Sequence, residues 1–442
     1  MQPKEYWWKK AKIYELYIDK FAGTIRGLIA ELEYFETLGI NTLHLLPHYP
    51  SPLVDDGYDV TDYCSVREEL GTLEDFKVLV QQARERGIRI LIDWAFNHTS
   101  IQHPWFSEAR LSKESPKRDY YLWSETGKEF PDATNAFPDI KSSDWIYNPP
   151  TEDYYFATFY PEQADLNWDN EQVFREITSA MDFWAELGVS GFRLDAAPHL
   201  IKRNGTSCKG LPETHAIIKK IRAHLETKYP EVILIAEAQQ DLAFTKEYFG
   251  KGDECQMAYH FGLMEEMWLA LATNDTTRFV KMLEESRDIP ENCQWAIFLR
   301  NHDEIAMGVL PENDRATLLK FLDPEKQYVM EKAGLTSMRI ANIFGGDRAK
   351  ITKALEMLYS APGASVTYYG DEIGMANLPR DRGITDTRKF VRGQFDRESA
   401  KLAMQDPESL FNEVARLLRK SNAEVVHAES AEIASVPPTT GT

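Results

Sequence analysis

Eight short runs of aliphatic and β-branched residues recur along the chain, most of them separated by amphipathic segments of helical period. They span 12–18, 42–47, 88–94, 191–197, 232–238, 255–261, 295–301 and 365–369. Apolar residues near i, i+3, i+4 and i+7 mark helices between them, among others 27–38, 73–86, 171–187 and 212–228, and Gly39 and Gly188 follow two of these helices as C-terminal caps. Strands joined by crossover helices form a parallel sheet with both faces covered, and eight such units predict an α/β fold, the TIM (β/α)8 barrel. Residues 98–170, rich in Tyr, Trp, Pro and Asp, are too many for a βα loop and read as a small domain inserted after strand 3. The chain is thus expected to divide into a first barrel part (1–97), the insertion (98–170), a second barrel part (171–422) and a remnant of a C-terminal domain (423–442).

Charge excludes one large class of partner. Lys and Arg number 50 against 70 Asp and Glu, a net charge of −20, the wrong sign for gripping a phosphate backbone, so no nucleic acid is expected. Nowhere do 18 apolar residues run uninterrupted, and the first residues contain no apolar signal core, which predicts no membrane partner and a cytoplasmic protein. Four scattered cysteines without a CxxC pair suggest neither a zinc site nor a disulfide framework.

In a barrel of this kind the working side chains stand at the C-terminal ends of the strands. Here those ends are polar: Asp55-Asp56-Gly57-Tyr58 follows the second run, the third ends Asp93 to His98, the fourth Arg193-Leu194-Asp195, the fifth Glu237, and the seventh Arg300 to Glu304. A single strand-end Asp more often caps the next helix than does chemistry, but carboxylates converging from three strands beside an Arg and two His suit glycoside chemistry. One carboxylate attacks the anomeric carbon while another, kept protonated, gives a proton to the leaving oxygen. No HExxH, P-loop, GxSxG or complete GxGxxG pattern is present, so metal hydrolase, nucleotide and serine hydrolase chemistry rank lower.

At these positions, which extend over almost the whole chain, the sequence resembles the α-amylase superfamily, glycoside hydrolase family 13. Its signature regions match 93–98, 191–199, 235–237 and 301–303, with a fifth at 163–167. The resemblance implies that Asp195 is the nucleophile, Glu237 the acid and then base, and Asp303 the third carboxylate, which holds the sugar 2- and 3-hydroxyls. It also implies that Arg193 orients the nucleophile, that His98 and His302 donate to the sugar in subsite −1, and that Asp55, Tyr58 and Gln163 belong to a pocket closed behind a terminal glucose. Within the superfamily, 49–52, 118–124, 252–258 and 294–304 look most like the trehalose synthases, which interconvert maltose and trehalose. The implied enzyme passes glucose between short, neutral α-glucosides such as maltose and trehalose through a covalent intermediate. The alternatives are an α-glucosidase with water as acceptor, and a non-catalytic scaffold of the same fold.

Three departures qualify this. Relatives hold calcium at the positions of Asn97, Asp165, His199, Leu200 and a glutamate, whereas this chain has Lys202 in the glutamate's place; an ammonium repels a divalent ion, so no metal and no other cofactor is expected. The loop after the eighth strand resembles instead that of amylosucrase-like members, in which a late Arg pairs with the Asp behind subsite −1. Arg392 is assigned that role against Asp55, with Arg388 its rival and an ordinary surface position the alternative. Relatives continue into a C-terminal β-sandwich that residues up to 442 are too few to close, so it is expected to be absent or truncated, leaving apolar surface along 410–418. Trp105, Phe137 and Trp168 are the sugar-stacking candidates.

Overall fold

The computed structural model describes residues 6–421. Eight parallel strands close a barrel: β1 (Lys12–Leu16), β2 (Thr42–Leu45), β3 (Arg89–Trp94), β4 (Gly191–Leu194), β5 (Ile233–Ala236), β6 (Met257–Tyr259), β7 (Gln294–Ile297) and β8 (Ala364–Tyr368). Each strand pairs with its sequence neighbours and β8 returns to β1, with Lys12 opposite Ser365. All eight lie at the runs of the sequence reading, and all but β8 are shorter, because the last residues of most runs bend into the loops above the barrel. The interval 27–38 is not one helix but two, Ile25–Ala30 and Leu32–Leu38, stepped at Glu31. Gly39, at φ 94°, caps the second, as the sequence suggests.

Side chains alternate between the barrel interior and the helix layer. On β1, Tyr14 points outward and meets Phe35 of a covering helix at 5.2 Å between ring centroids, while its neighbour Glu15 points into the barrel. Glu15, His44 of β2, Asp93 of β3, Arg193 of β4 and Tyr259 of β6 form a buried polar layer just below the mouth. Strand register sets this layer: Glu15 is level with His44, and Asp93 with Arg193.

Residues 98–170 leave the barrel after β3. The two ends of the excursion are zipped together, His98–Ser100 pairing antiparallel with Gln163–Asp165, while a three-stranded sheet of Trp123–Ser124, Asp153–Phe156 and Trp145–Asn148 forms its body. The zipper brings His98 and Gln163 to the barrel mouth. A second excursion after β7 carries the helix Glu312–Leu322 and a short hairpin, whose Lys332 and Ala333 amides both donate to Asp139 of the first excursion at 2.9 Å.

The last described helix, Leu410–Lys420, corrects one expectation. Its Phe411, Val414, Ala415 and Leu418 are buried rather than bare, because the helix fills the groove beside Leu32–Leu38, with Phe411 5.0 Å from the Tyr34 ring. Residues 423–442, read as a domain remnant, lie outside the described residues.

Gly191 opens β4 where no side chain fits: a Cβ there would stand 2.6 Å from Ile233 Cγ1 and 2.8 Å from Leu91 Cδ2, on both flanking strands. Gly191→Ala is therefore expected to destabilise the protein by about 1–3 kcal/mol, read as a lowered urea midpoint at unchanged slope.

Candidate active site

Arg193 is fully buried and its guanidinium touches three carboxylates. Nη1 lies 3.0 Å from Asp93 Oδ1 and 2.6 Å from Asp195 Oδ1; Nη2 lies 2.7 Å from Glu237 Oε1. Asp195 follows β4 directly and its amide donates to the Trp94 carbonyl; Glu237 follows β5, its amide donating to Leu194. The two carboxylates thus prolong adjacent strands and converge. Ala196 adopts φ 50°, the left-handed region that costs a non-glycine residue on the order of 1 kcal/mol, and in that turn its N–H donates to Glu237 Oε2 at 2.9 Å.

Burial pushes the Asp195 carboxyl well up; Arg193 pulls the other way, and Glu237, Asp93 and Asp303 add to the upward push. Burial raises Glu237 too, opposed by Arg193 and reinforced by Asp303. Both shifts favour the protonated carboxyl, the form a general acid needs. Asp303 behaves oppositely. Burial resists its ionisation, but His302, Arg388 and Arg392 overcome it and hold the carboxyl well below the usual range. Its Oδ1 meets Arg392 Nη2 at 2.8 Å and Arg388 Nη1 at 3.3 Å, and its Oδ2 meets His302 Nε2 at 3.0 Å.

The two histidines also diverge. His98, whose Nε2 lies 3.2 Å from the Tyr58 carbonyl, is lowered by burial and is neutral. Burial opposes charge on His302 as well, but Asp303 and Glu15 win and raise it to about 9. Its ring stacks on Tyr58 at 5.4 Å.

One end of the cavity is walled. Arg388 Nη2 bonds Asp55 Oδ1 at 2.8 Å and Asp386 Oδ2 at 2.9 Å; Gln163 Nε2 donates to Asp55 Oδ2 at 3.1 Å, and Tyr160 donates to Asp386 at 2.6 Å. This overturns the pairing of Arg392 with Asp55. Arg392 comes no nearer to Asp55 than 3.8 Å; its bonds go to Asp56 at 2.7 Å, Asp303 and the His302 carbonyl. The reason is local: Asp386 caps the turn Thr387–Phe390 and holds Arg388 beside Asp55, while Arg392 lies beyond that turn, against His302. Neither arginine is a surface residue.

The cavity in front of these groups measures about 290 Å³, near the lower end of the roughly 300–1,000 Å³ usual for ligand sites. Asp55, Tyr58, His98, Asp195, Glu237, His302, Asp303 and Arg388 line it; Arg193, Gln163 and Arg392 act from behind. Of the three stacking candidates only Phe137 lines it, with the Arg388 guanidinium 4.5 Å from its ring centre. Trp168 is buried and donates to the Phe96 carbonyl, and Trp105 packs on His103. Sequence reasoning missed Phe159, Lys209 and Glu304 in the lining, and Glu15 below it. Glu304 is half-buried, its buried Oε2 has no hydrogen-bond partner, and desolvation and Asp303 raise its carboxyl to about 7. Glu15 stands out in the sequence as the one carboxylate of β1, between Tyr14 and Leu16.

Residues 9–334 match the family model for the catalytic domain of α-amylase. The chain belongs to the α-amylase family. It is 42% identical over 381 residues to the trehalose synthase of Thermus thermophilus, across 84% of this chain and 39% of that one. It is 40% identical over 383 residues to the trehalose synthase/amylase of Mycolicibacterium smegmatis, across 84% and 64%. The chain thus spans less than two thirds of the length of these two relatives. Among solved structures, the trehalulose synthase of Pseudomonas mesoacidophila superposes with a TM-score of 0.74 at 24% identity, over 94% of this chain and 84% of that one, a likeness of fold.

At the position where the family resemblance implies calcium ligands, Lys202 Nζ lies 2.5 Å from Asp165 Oδ2 and 3.0 Å from Asn97 Oδ1, and also donates to the His199 carbonyl. The ammonium takes the place a divalent ion would need, so the donor set does not fit calcium. Both partners of the Lys202–Asp165 pair are fully buried. Removing one leaves the other uncompensated, so Lys202→Met is expected to lower unfolding free energy by about 3 kcal/mol in urea titrations.

Proposed function

We propose that this chain is a retaining α-glucosyl enzyme acting on the terminal glucose of short α-glucosides. The observation that carries the reading is the convergence of Asp195 and Glu237 on one guanidinium in a cavity whose far end is closed by Asp55 and Arg388. A shared guanidinium keeps the two carboxylates close. Retaining enzymes need a separation of about 5–5.5 Å, and inverting ones a wider gap for water. The closed end admits a chain terminus and stops an internal sugar.

In the first step Asp195 attacks the anomeric carbon from one face while Glu237 gives its proton to the departing glycosidic oxygen, so the bond to the second sugar breaks as the bond to Asp195 forms. Arg193 offsets charge on both carboxylates. Asp303, ionised between two arginines and His302, accepts hydrogen bonds from the sugar 2- and 3-hydroxyls, and His98 and His302 line the same subsite. In the second step Glu237 takes the proton of an incoming hydroxyl, which attacks the glucosyl ester and frees Asp195 with the original configuration restored.

We further propose that the acceptor is the sugar just released, so that maltose and trehalose interconvert. The likeness to proteins named trehalose synthases, at 40–42% identity, supports this over simple hydrolysis. Incubation with maltose should yield trehalose, and the reverse, by chromatography; free glucose as the sole product from both would establish water as the acceptor instead. Asp195→Asn should lower kcat by at least about 10⁴-fold in a variant that circular dichroism shows to be folded, and full activity in that variant would refute the covalent route. The reaction uses no calcium in this reading. A chelator should leave melting temperature and turnover unchanged, and added millimolar calcium should raise neither.

A further inference from the structure

Glu15 makes no contact with the cavity, yet it is fully buried and aimed at its floor. Its Oε1 accepts both the backbone N–H of His302 and ring Nδ1–H, each at 2.9 Å. Its Oε2 lies 3.3 Å from His44 Nδ1 and accepts from the Tyr259 hydroxyl at 3.3 Å. His44 Nε2 is in turn 3.2 Å from Asp93 Oδ2, Tyr58 donates to that same Asp93 oxygen at 2.9 Å, and the Tyr58 oxygen lies 2.6 Å from His302 Nε2. The chain of contacts closes on itself: Glu15, His302, Tyr58, Asp93, His44 and back to Glu15.

Counting hydrogens around this ring decides the state of His302. An ionised carboxylate only accepts, so Nδ1 carries a hydrogen. The single Tyr58 hydroxyl hydrogen is spent on Asp93, which leaves the phenol oxygen as an acceptor toward Nε2. The other neighbour of Nε2 is Asp303 Oδ2 at 3.0 Å, again an acceptor. A bare Nε2 would set its lone pair against two acceptors, so it too carries a hydrogen.

We propose that Glu15 is a positioning residue that locks His302 as a doubly protonated imidazolium, its Nε2–H aimed into the cavity, by accepting both its backbone and its ring Nδ1 hydrogens. The groups facing His302 support this. Glu15, Asp303, Asp93 and Glu237 surround it with carboxyls, and Tyr17 and Tyr58 are neutral rings. Arg392, bonded to the His302 carbonyl, is a facing cation that already shares Asp303 with Arg388. Glu15 thereby acts at one remove from the sugar: the imidazolium it maintains keeps Asp303 ionised and gives the site a fixed donor. The inference rests on the glucosyl-transfer reading only where turnover is measured.

The test is a titration of histidine ring resonances by nuclear magnetic resonance on the full chain, with His302 assigned by its loss in His302→Gln. Wild-type His302 should stay protonated through neutrality and titrate near 9. In Glu15→Gln, which keeps the acceptor and removes the charge, its midpoint should fall by at least about one pH unit, and in Glu15→Asp it should recover part of that fall. The alkaline limb of kcat/KM on the α-glucoside should move with it. A group raised from about 6.5 to about 9 contributes stability that is complete below the lower value and lost as pH rises through the upper. The wild-type melting temperature should therefore decline across that window, and that of Glu15→Gln should decline less. A neutral wild-type His302 at pH 7.5, or an unmoved midpoint in Glu15→Gln, overturns the proposal; the first needs no variant. A wild type that turns over no α-glucoside would sink the glucosyl-transfer reading while the titration still decides the role of Glu15.

Discussion

Everything at the barrel mouth depends on one buried cation. The Arg193 guanidinium is out of water, and an ion in that position costs several kcal/mol unless it is paired with near-ideal geometry. The partners are supplied by three strands: Asp93 beside it in register on β3, Asp195 two residues on along its own strand, and Glu237 at the end of β5. The dependence is mutual. Without Arg193 three carboxyls would crowd one volume, and without the carboxyls the arginine could not be buried. Site and barrel closure therefore stabilise each other, and the strand register that builds the one aligns the other.

Around that cation the same residue types are driven to different states by their surroundings. Asp195 and Glu237 are pushed up, while Asp303 is held well down between two guanidiniums and an imidazole. His98 is held down because Asp165 and Asp55 repay its burial only in part; His302 is raised because Asp303 and Glu15 repay it in full. A reaction that needs an acid, a nucleophile and a fixed ionised carboxylate within one small cavity finds them by environment alone. The wall of Asp55, Arg388 and Asp386 applies the same rule at the closed end, where each charge is repaid by a neighbour.

Much of this was legible in the residues. The eight strands show as apolar runs because a strand covered on both faces has little room for polar side chains. The carboxylates at the barrel mouth show because charges at the ends of such runs are costly, and five polar ends in one chain are more than helix caps explain. The misreadings share one cause. Choosing Arg388 over Arg392, seeing that Phe137 alone of three aromatics reaches the cavity, and finding that Leu410–Lys420 buries its apolar face all depend on contacts between segments far apart in sequence. Glu304, next to Asp303, lines the same cavity without a role that its position in the chain could reveal.

The sequence by itself determined the fold class and the order of the elements, because these follow from local periodicity; it also placed carboxylates at strand ends, among which the resemblance to the α-amylase family marked three. Tertiary structure alone decided the charge state of each group, the arginine that closes the pocket, and the ring that links Glu15 to His302. Those properties belong to distances between residues on different strands and loops. Coulomb energy and desolvation depend on such distances and on burial, and neither quantity exists until the barrel has closed.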